Sequence, residues 1–245
     1  MLLPVATLWS RELTRFWREK SRVFGFVGSP LVFWLLIGSG FGDLRFFFPG
    51  MLTLTVMFSA VFSTMSLIED RREGFLLSML VSPAPRTAMV LGKVLGSATL
   101  AWLQGLVFLA LGSVLGGRLG VLQAMEVAAF LFLVSFTFTS LGFLFAWKMD
   151  STQGFHAVIN LLLFPMWMVS GALFPMATAH GWMQWLMRIN PLTYSLAALR
   201  RLLDSGVDVM TPALGTSVLI TAVTGVALLI ASIVVANRRQ TQVST

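Results

Sequence analysis

Six stretches of this chain are each long and apolar enough to cross a lipid bilayer, near residues 23–42, 46–68, 94–115, 127–147, 155–175 and 213–236. A helix rises about 1.5 Å per residue, so about 20 residues cover a hydrocarbon core of about 30 Å. Inside lipid every backbone N–H and C=O must find its partner within the structure, which favours helices in long unbroken runs. The expected fold is therefore all-α and polytopic, with six transmembrane helices. Only 11% of the 245 residues are charged, against about 25% in soluble domains. The short links leave no room for a separate soluble unit, so residues 1–245 form one transmembrane domain. The first run follows a charged stretch and is expected to stay in the membrane rather than be cleaved.

The net charge of +7 is a statement about topology. Basic residues collect at the N-terminus (Arg11, Arg15, Arg18, Lys20, Arg22), after the second run (Arg71, Arg72, Arg86, Lys93), at Lys148 and in the tail (Arg238, Arg239). Fewer fall on the other side: Arg45, Arg118, Arg188, Arg200 and Arg201. This asymmetry places both termini in the cytoplasm and argues against a nucleic-acid partner.

Residues 5–20 carry a different pattern. Val5, Leu8, Trp9, Leu13, Phe16 and Trp17 recur at helical spacing, and Arg11, Arg15, Arg18 and Arg22 form a second stripe. Such a helix suits the headgroup layer, its arginines near anionic lipid, or serves simply as a positive anchor. Pro30 and several glycines give the first run a place to bend. Ser59 and Ser63 in the second run are small groups that let helices approach closely. Gln104 and Asn160 are the polar groups near the middle of runs three and five, each expected to bond a neighbouring helix. No charge lies deep in any run, which disfavours a proton or ion relay of buried carboxylates.

Residues 176–211 form a second irregular region. Trp182, Trp185, Leu186 and Ile189 make one apolar stripe. Asn190-Pro191 then starts a new helix, with Asn as N-cap and Pro at the first helical position. Leu192, Leu196, Leu199 and Leu203 share a face of it. Two short helices capping the outer side are expected.

The chain carries no phosphate loop of the form GxxxxGK[ST] and no clustered metal motif. It holds two histidines and no cysteine. Ser170 and His156 lie about 21 Å apart on one helix, too far for a catalytic dyad. An intramembrane enzyme is thus disfavoured; a channel or secondary transporter working without ATP is the other alternative. The energy question turns on the segment between runs two and three: Glu69-Asp70-Arg71-Arg72-Glu73-Gly74, then Phe75, Leu76, Met79 and Leu80 on one helical face, closed by Pro83 and Pro85. A short apolar face beside a charge cluster fits a groove on a partner protein.

The order of these features resembles the membrane subunits of ABC exporters of the ABC-2 type. The resemblance rests on Arg11-Glu12 with Arg15 and Arg18 in an N-terminal amphipathic helix, six spans, Glu69 to Pro83 between spans two and three, and the outer Asn190-Pro191-Leu192-Thr193-Tyr194 motif. It implies that residues 69–86 are the coupling segment seated on an ATPase, that residues 5–20 form a connector helix, and that residues 176–211 hold outer re-entrant helices. It also implies a second copy of the permease, two ATPase subunits that hold the ATP and magnesium, no cofactor in this chain, and the bacterial cytoplasmic membrane. Drug-resistance and lipo-oligosaccharide exporter permeases are the nearest likeness, so the implied cargo is a hydrophobic or amphipathic drug-like molecule, lipid or lipid-linked glycan. Where family members often read Thr-Leu-Glu after the glycine, this chain has Phe75-Leu76-Leu77.

Overall fold

The computed structural model describes residues 2–18, 20–81, 84–116 and 119–238, with the side chains of Leu2, residues 16–27, Leu80 and residues 114–116 excepted. Pro83 and the side chains of Arg18 and Leu80 therefore lie outside the described residues. The described residues are built of helices and their connections, without strands. Five helical stretches are long and apolar enough to cross a membrane: Leu44–Arg72, Arg86–Ser113, Val121–Lys148, Thr152–Ala172 and Leu214–Arg238. The first apolar run corresponds to helix α2 (Lys20–Phe41), whose described apolar part is Gly28–Phe41.

Helix α1 (Leu2–Arg18) precedes it. The chain turns at Gly42, which has φ +72, and Asp43 caps α3 (Leu44–Ser63) by accepting from the Phe46 N–H. The second run is not one unbroken helix: it turns at Thr64 and Met65 and continues as α4 (Ser66–Arg72). Gly74, at φ +77, then reverses direction into the short α5 (Phe75–Val81). The third span starts earlier than residue 94, because α6 runs Arg86–Gly116. Lys93 is therefore a helix-interior residue rather than a point where the chain returns to the membrane.

Helix α3 sits at the centre, packed on α2, α6, α7 (Val121–Lys148) and α8 (Thr152–Trp167). Glycines mark the close approaches. A Cβ on Gly105 would lie 2.5 Å from Val56, and one on Gly142 would lie 2.8 Å from the Val61 Cα. Val56, Met57, Leu131, Phe138 and Ile159 are fully enclosed there. Apolar groups left exposed on α11 (Leu214–Arg238), such as Leu219, Val223, Val226 and Ile230, are the surface expected of a helix facing lipid.

Beyond α8 the helix loosens into a π-helical turn, Met168–Ala172, where Gly171 takes φ +94. Two short helices follow, α9 (Gly181–Ile189) and α10 (Pro191–Leu202). Asn190 caps α10 by accepting from the Leu192 N–H, while its amide donates to the Met166 carbonyl at 2.6 Å. Tyr194 donates to the Arg188 carbonyl, and Thr193 is buried. The Asn190–Tyr194 motif is thus a joint that ties α10 to α8. Leu192, Leu196 and Leu199 face inward as their spacing predicts, whereas Trp182, Trp185 and Ile189 of α9 face outward.

Candidate coupling site

At the end of the bundle that carries both described chain ends, α1, α4 and α6 meet around a cluster of buried charge. Lys93 on α6 is 2% exposed, Glu12 on α1 is 3% and Asp70 on α4 is fully buried. The Lys93 ammonium donates to Glu12 at 2.5 Å and also to Asp70. Arg11 grips Asp70 with both guanidinium nitrogens, at 2.9 and 3.2 Å. Arg15 bridges Asp70 at 3.2 Å and Glu69 at 2.7 Å. The Ser66 hydroxyl donates to the second Glu12 oxygen at 2.8 Å. Every buried charge in this cluster is paired and hydrogen-bonded, the condition under which burial is tolerated. Burial opposes the charge on Arg11; its bond to Asp70 and the nearby Glu12 and Glu73 outweigh that and hold its pKa above the ordinary value.

Two glycines let α1 come close enough. A Cβ on Gly92 would lie 2.8 Å from the Leu8 Cβ, and one on Gly96 would lie 2.8 Å from the Glu12 Cβ. Trp9 donates to Thr99 at 3.1 Å. The arginine stripe expected to meet anionic lipid is therefore, at Arg11 and Arg15, committed to carboxylates of its own chain. The cluster escaped sequence reading because Asp70 and Lys93 lie just outside the apolar runs drawn at 46–68 and 94–115. The helices continue past those limits and carry both charges into the interior.

Helix α4 is also fastened on its other side. Arg71 donates to the Trp147 and Met149 carbonyls at 2.6 and 2.8 Å and to Asp150 at 2.6 Å, closing the C-terminus of α7. A cation at that position satisfies otherwise unpaired helix-end carbonyls. Arg72 adds a bond to the Asp150 carbonyl. Arg86 reaches the Ala236 carbonyl near the end of α11 at 3.0 Å.

Helix α5 presents a different face from the one its sequence suggested. Leu76 is buried, Met79 packs against the core, and Phe75 lies under the Arg11 guanidinium, 3.8 Å from its ring centre. Leu76 of the expected docking face is thus turned into the bundle, while Phe75 and Met79 are half-buried and line a cavity of about 330 Å³ against Leu3, Pro4 and Leu8 of α1. Arg11, held in the ion cluster, reaches over the Phe75 ring from α1. Outward point Leu77, 66% exposed, and Val81, 84% exposed, with Ser78 between them and Arg72 and Glu73 beside them.

The remaining predicted positions divide. Ser59 donates to Gln104 at 2.6 Å, joining α3 to α6 as expected, and Ser63 bonds the Ser59 carbonyl within α3. Asn160 is exposed on α8 and, among the described residues, bonds no neighbouring helix. Pro30 is buried and lines a cleft of about 510 Å³ between α2, α3 and α8, with Phe33, Phe58, Phe62 and Trp167. Ser29 and His156 are its polar lining groups, and the His156 ring packs against Phe62 at 4.7 Å. Ser170 donates to the Trp167 carbonyl, so its hydroxyl serves the helix turn.

Residues 4–203 match the family described as ABC-2 type transporter. The chain is 30% identical to the daunorubicin resistance ABC transporter permease protein DrrB1 of Streptomyces coeruleorubidus, over 81% of its own length and 76% of that protein. It is 31% identical to the putative transport permease ycf38 of Cyanophora paradoxa, over 64% of its length and 55% of that protein, little more than half of the latter. Nodulation protein J of Rhizobium leguminosarum bv. trifolii is 27% identical over 79% of this chain and 78% of its own. A family match across most of the chain, joined to five bilayer-length helices, has one meaning: this protein belongs to the ABC-2 type transporters, as a multi-pass membrane permease and not an enzyme.

Proposed function

We propose that this chain is one half of a permease pair in an ABC exporter of the bacterial cytoplasmic membrane, with six spans and both termini in the cytoplasm. Two separate ATPase subunits bind ATP and magnesium and seat on α5. The observation that carries this reading is the mounting of α5: a short helix with Leu77 and Val81 outward, fixed through α4 to α1, α6 and α7. A force applied to α5 reaches all four elements without passing through a flexible linker. The cleft beside Pro30 receives a hydrophobic or amphipathic cargo, because its walls are aromatic and aliphatic and, among the described residues, its lining holds no carboxylate. Pro30 supplies the bend that lets α2 open it.

The test is co-purification of the tagged chain with a partner ATPase. Leu77→Asp with Val81→Asp is expected to abolish capture of the ATPase and cargo-dependent ATP hydrolysis while the permease still inserts. Undiminished capture would refute docking at α5. Transport by the purified chain alone in liposomes would favour a channel or secondary carrier instead.

A further inference from the structure

A second polar cavity lies at the opposite end of the bundle, where α2 turns into α3 and where α6, α7 and α10 end or begin. It holds about 230 Å³ and is lined by Trp34, Phe48, Leu119 and Leu203 on its apolar side and by Arg45, Gln123 and Asp204 on its polar side. Arg45 and Asp204 are both exposed, and among the described residues neither side chain has an ion pair or hydrogen bond. Their backbones are nevertheless adjacent: the Ser205 hydroxyl donates to the Arg45 carbonyl at 2.5 Å. Asp204 is held at φ +49, a conformation uncommon outside glycine, asparagine and aspartate. Ser113 donates to the Ala110 carbonyl and Ser205 to the Arg45 carbonyl, so their hydroxyls offer the cavity acceptor oxygens; Gln123 uses one amide N–H on the Leu202 carbonyl and keeps its amide oxygen as an acceptor.

Among the described residues the cavity therefore presents one free cation, one free carboxylate and several acceptors. That set complements a molecule bearing both a phosphate and an ammonium with N–H donors. Depth in the membrane identifies the source. Phe41, Val121, Leu122 and Met125 are exposed around the same end, so apolar surface meets the first charged residues at this level. That is the position of lipid headgroups. We propose that this cavity binds the headgroup of a phosphatidylethanolamine lipid in the adjoining leaflet, the phosphate on Arg45 and the ammonium on Asp204. The first carbons of its chains lie along Phe48 and Leu203. The site is separate from α5 and from the cargo cleft, and does not depend on the transport reading.

The purified full chain, reconstituted into nanodiscs of phosphatidylethanolamine and phosphatidylcholine with matched acyl chains, is re-extracted and its retained lipid quantified by mass spectrometry. Choline has no N–H to donate, so ethanolamine lipid is expected to be retained about tenfold over choline lipid, the equivalent of one charge-assisted hydrogen bond. Asp204→Asn, which keeps the backbone conformation, removes that preference; Arg45→Gln lowers retention of both lipids. Ser113→Phe fills the cavity without altering a charge and has the same effect as losing the site. Equal retention of the two lipids, or an unchanged preference in Asp204→Asn, would overturn the proposal. Displacement of the bound lipid by an equal concentration of free phosphoethanolamine would overturn the lipid assignment in favour of a soluble ligand.

Discussion

Lys93→Met tests the ion cluster most sharply. The substitution keeps a linear chain of similar length and removes only the ammonium. Its two carboxylate partners then fare differently. Asp70 still receives both nitrogens of Arg11 and one of Arg15, whereas Glu12 keeps just the Ser66 hydroxyl and a distant Arg11 contact at 3.7 Å. Stranding one member of a buried pair costs about 3–5 kcal/mol. For a chain of this size, each kcal/mol moves the thermal midpoint by roughly 2–4 °C. The expected loss is therefore on the order of 10 °C by thermal unfolding in detergent. Adding Glu12→Gln removes the stranded charge, so the double variant is expected to recover about 2 kcal/mol of the loss. Proteolysis or hydrogen exchange confined to α1 should rise in Lys93→Met and fall back in the double variant. A single variant within about 0.5 kcal/mol of wild type, or a double variant whose loss is the plain sum of the two, would refute the claim that the cluster holds α1 in place.

Arg71→Met removes three bonds that close α7 and is expected to lower stability by about 2–4 kcal/mol, with α4 and the 147–150 turn gaining proteolytic sensitivity together. Gly74→Ala forces a left-handed turn on a residue with a Cβ, costing about 1–2 kcal/mol, and should weaken ATPase capture more than it lowers the unfolding midpoint. Arg200 is buried and bonds the Gly206 and Gly171 carbonyls; burial pushes its pKa down to about 10, so it stays charged at neutral pH. A cation whose folded pKa lies below its unfolded one binds fewer protons when folded, so its stability contribution rises with pH. Wild type shows that rise only above about pH 10, whereas Arg200→Lys, which starts from an ordinary pKa about two units lower, shows it at lower pH; a flat profile for the lysine variant would contradict the burial. Cysteines placed at Arg86 and His180 should react with impermeant reagents from opposite sides of the membrane, Arg86 from the cytoplasm.

Periodicity reached far into this fold and then failed at identifiable places. Apolar runs located the long helices because a lipid-facing helix has no other way to satisfy its backbone. The Asn190-Pro191 start of α10 was legible because capping chemistry is local, carried by two adjacent residues. The turn at Thr64–Met65 was not, since neither residue forbids a helix and both keep helical φ/ψ while the backbone tightens to i→i+3 bonds. The same limit applies to α5. Spacing correctly grouped Phe75, Leu76 and Met79 on one face, yet spacing cannot tell whether a face meets a partner or its own chain. The residue that covers the Phe75 ring is Arg11, more than sixty positions away in sequence and 3.8 Å away in space. Lys93 looked like a boundary charge because its two acidic partners come from other helices.

The cluster of Glu12, Asp70 and Lys93 also orders the events of synthesis. Glu12 leaves the ribosome first, but Lys93 lies 81 positions later in the chain. At about 5–20 residues per second that gap lasts roughly 4–16 s. Throughout it, α1 has its arginines and tryptophans made and no binding site to occupy, and a basic amphipathic helix in that condition rests on the nearest anionic surface, the bilayer. Its seating on Lys93 then waits for α6, so that a helix translated well before α6 meets its buried partner only after α6 has been made.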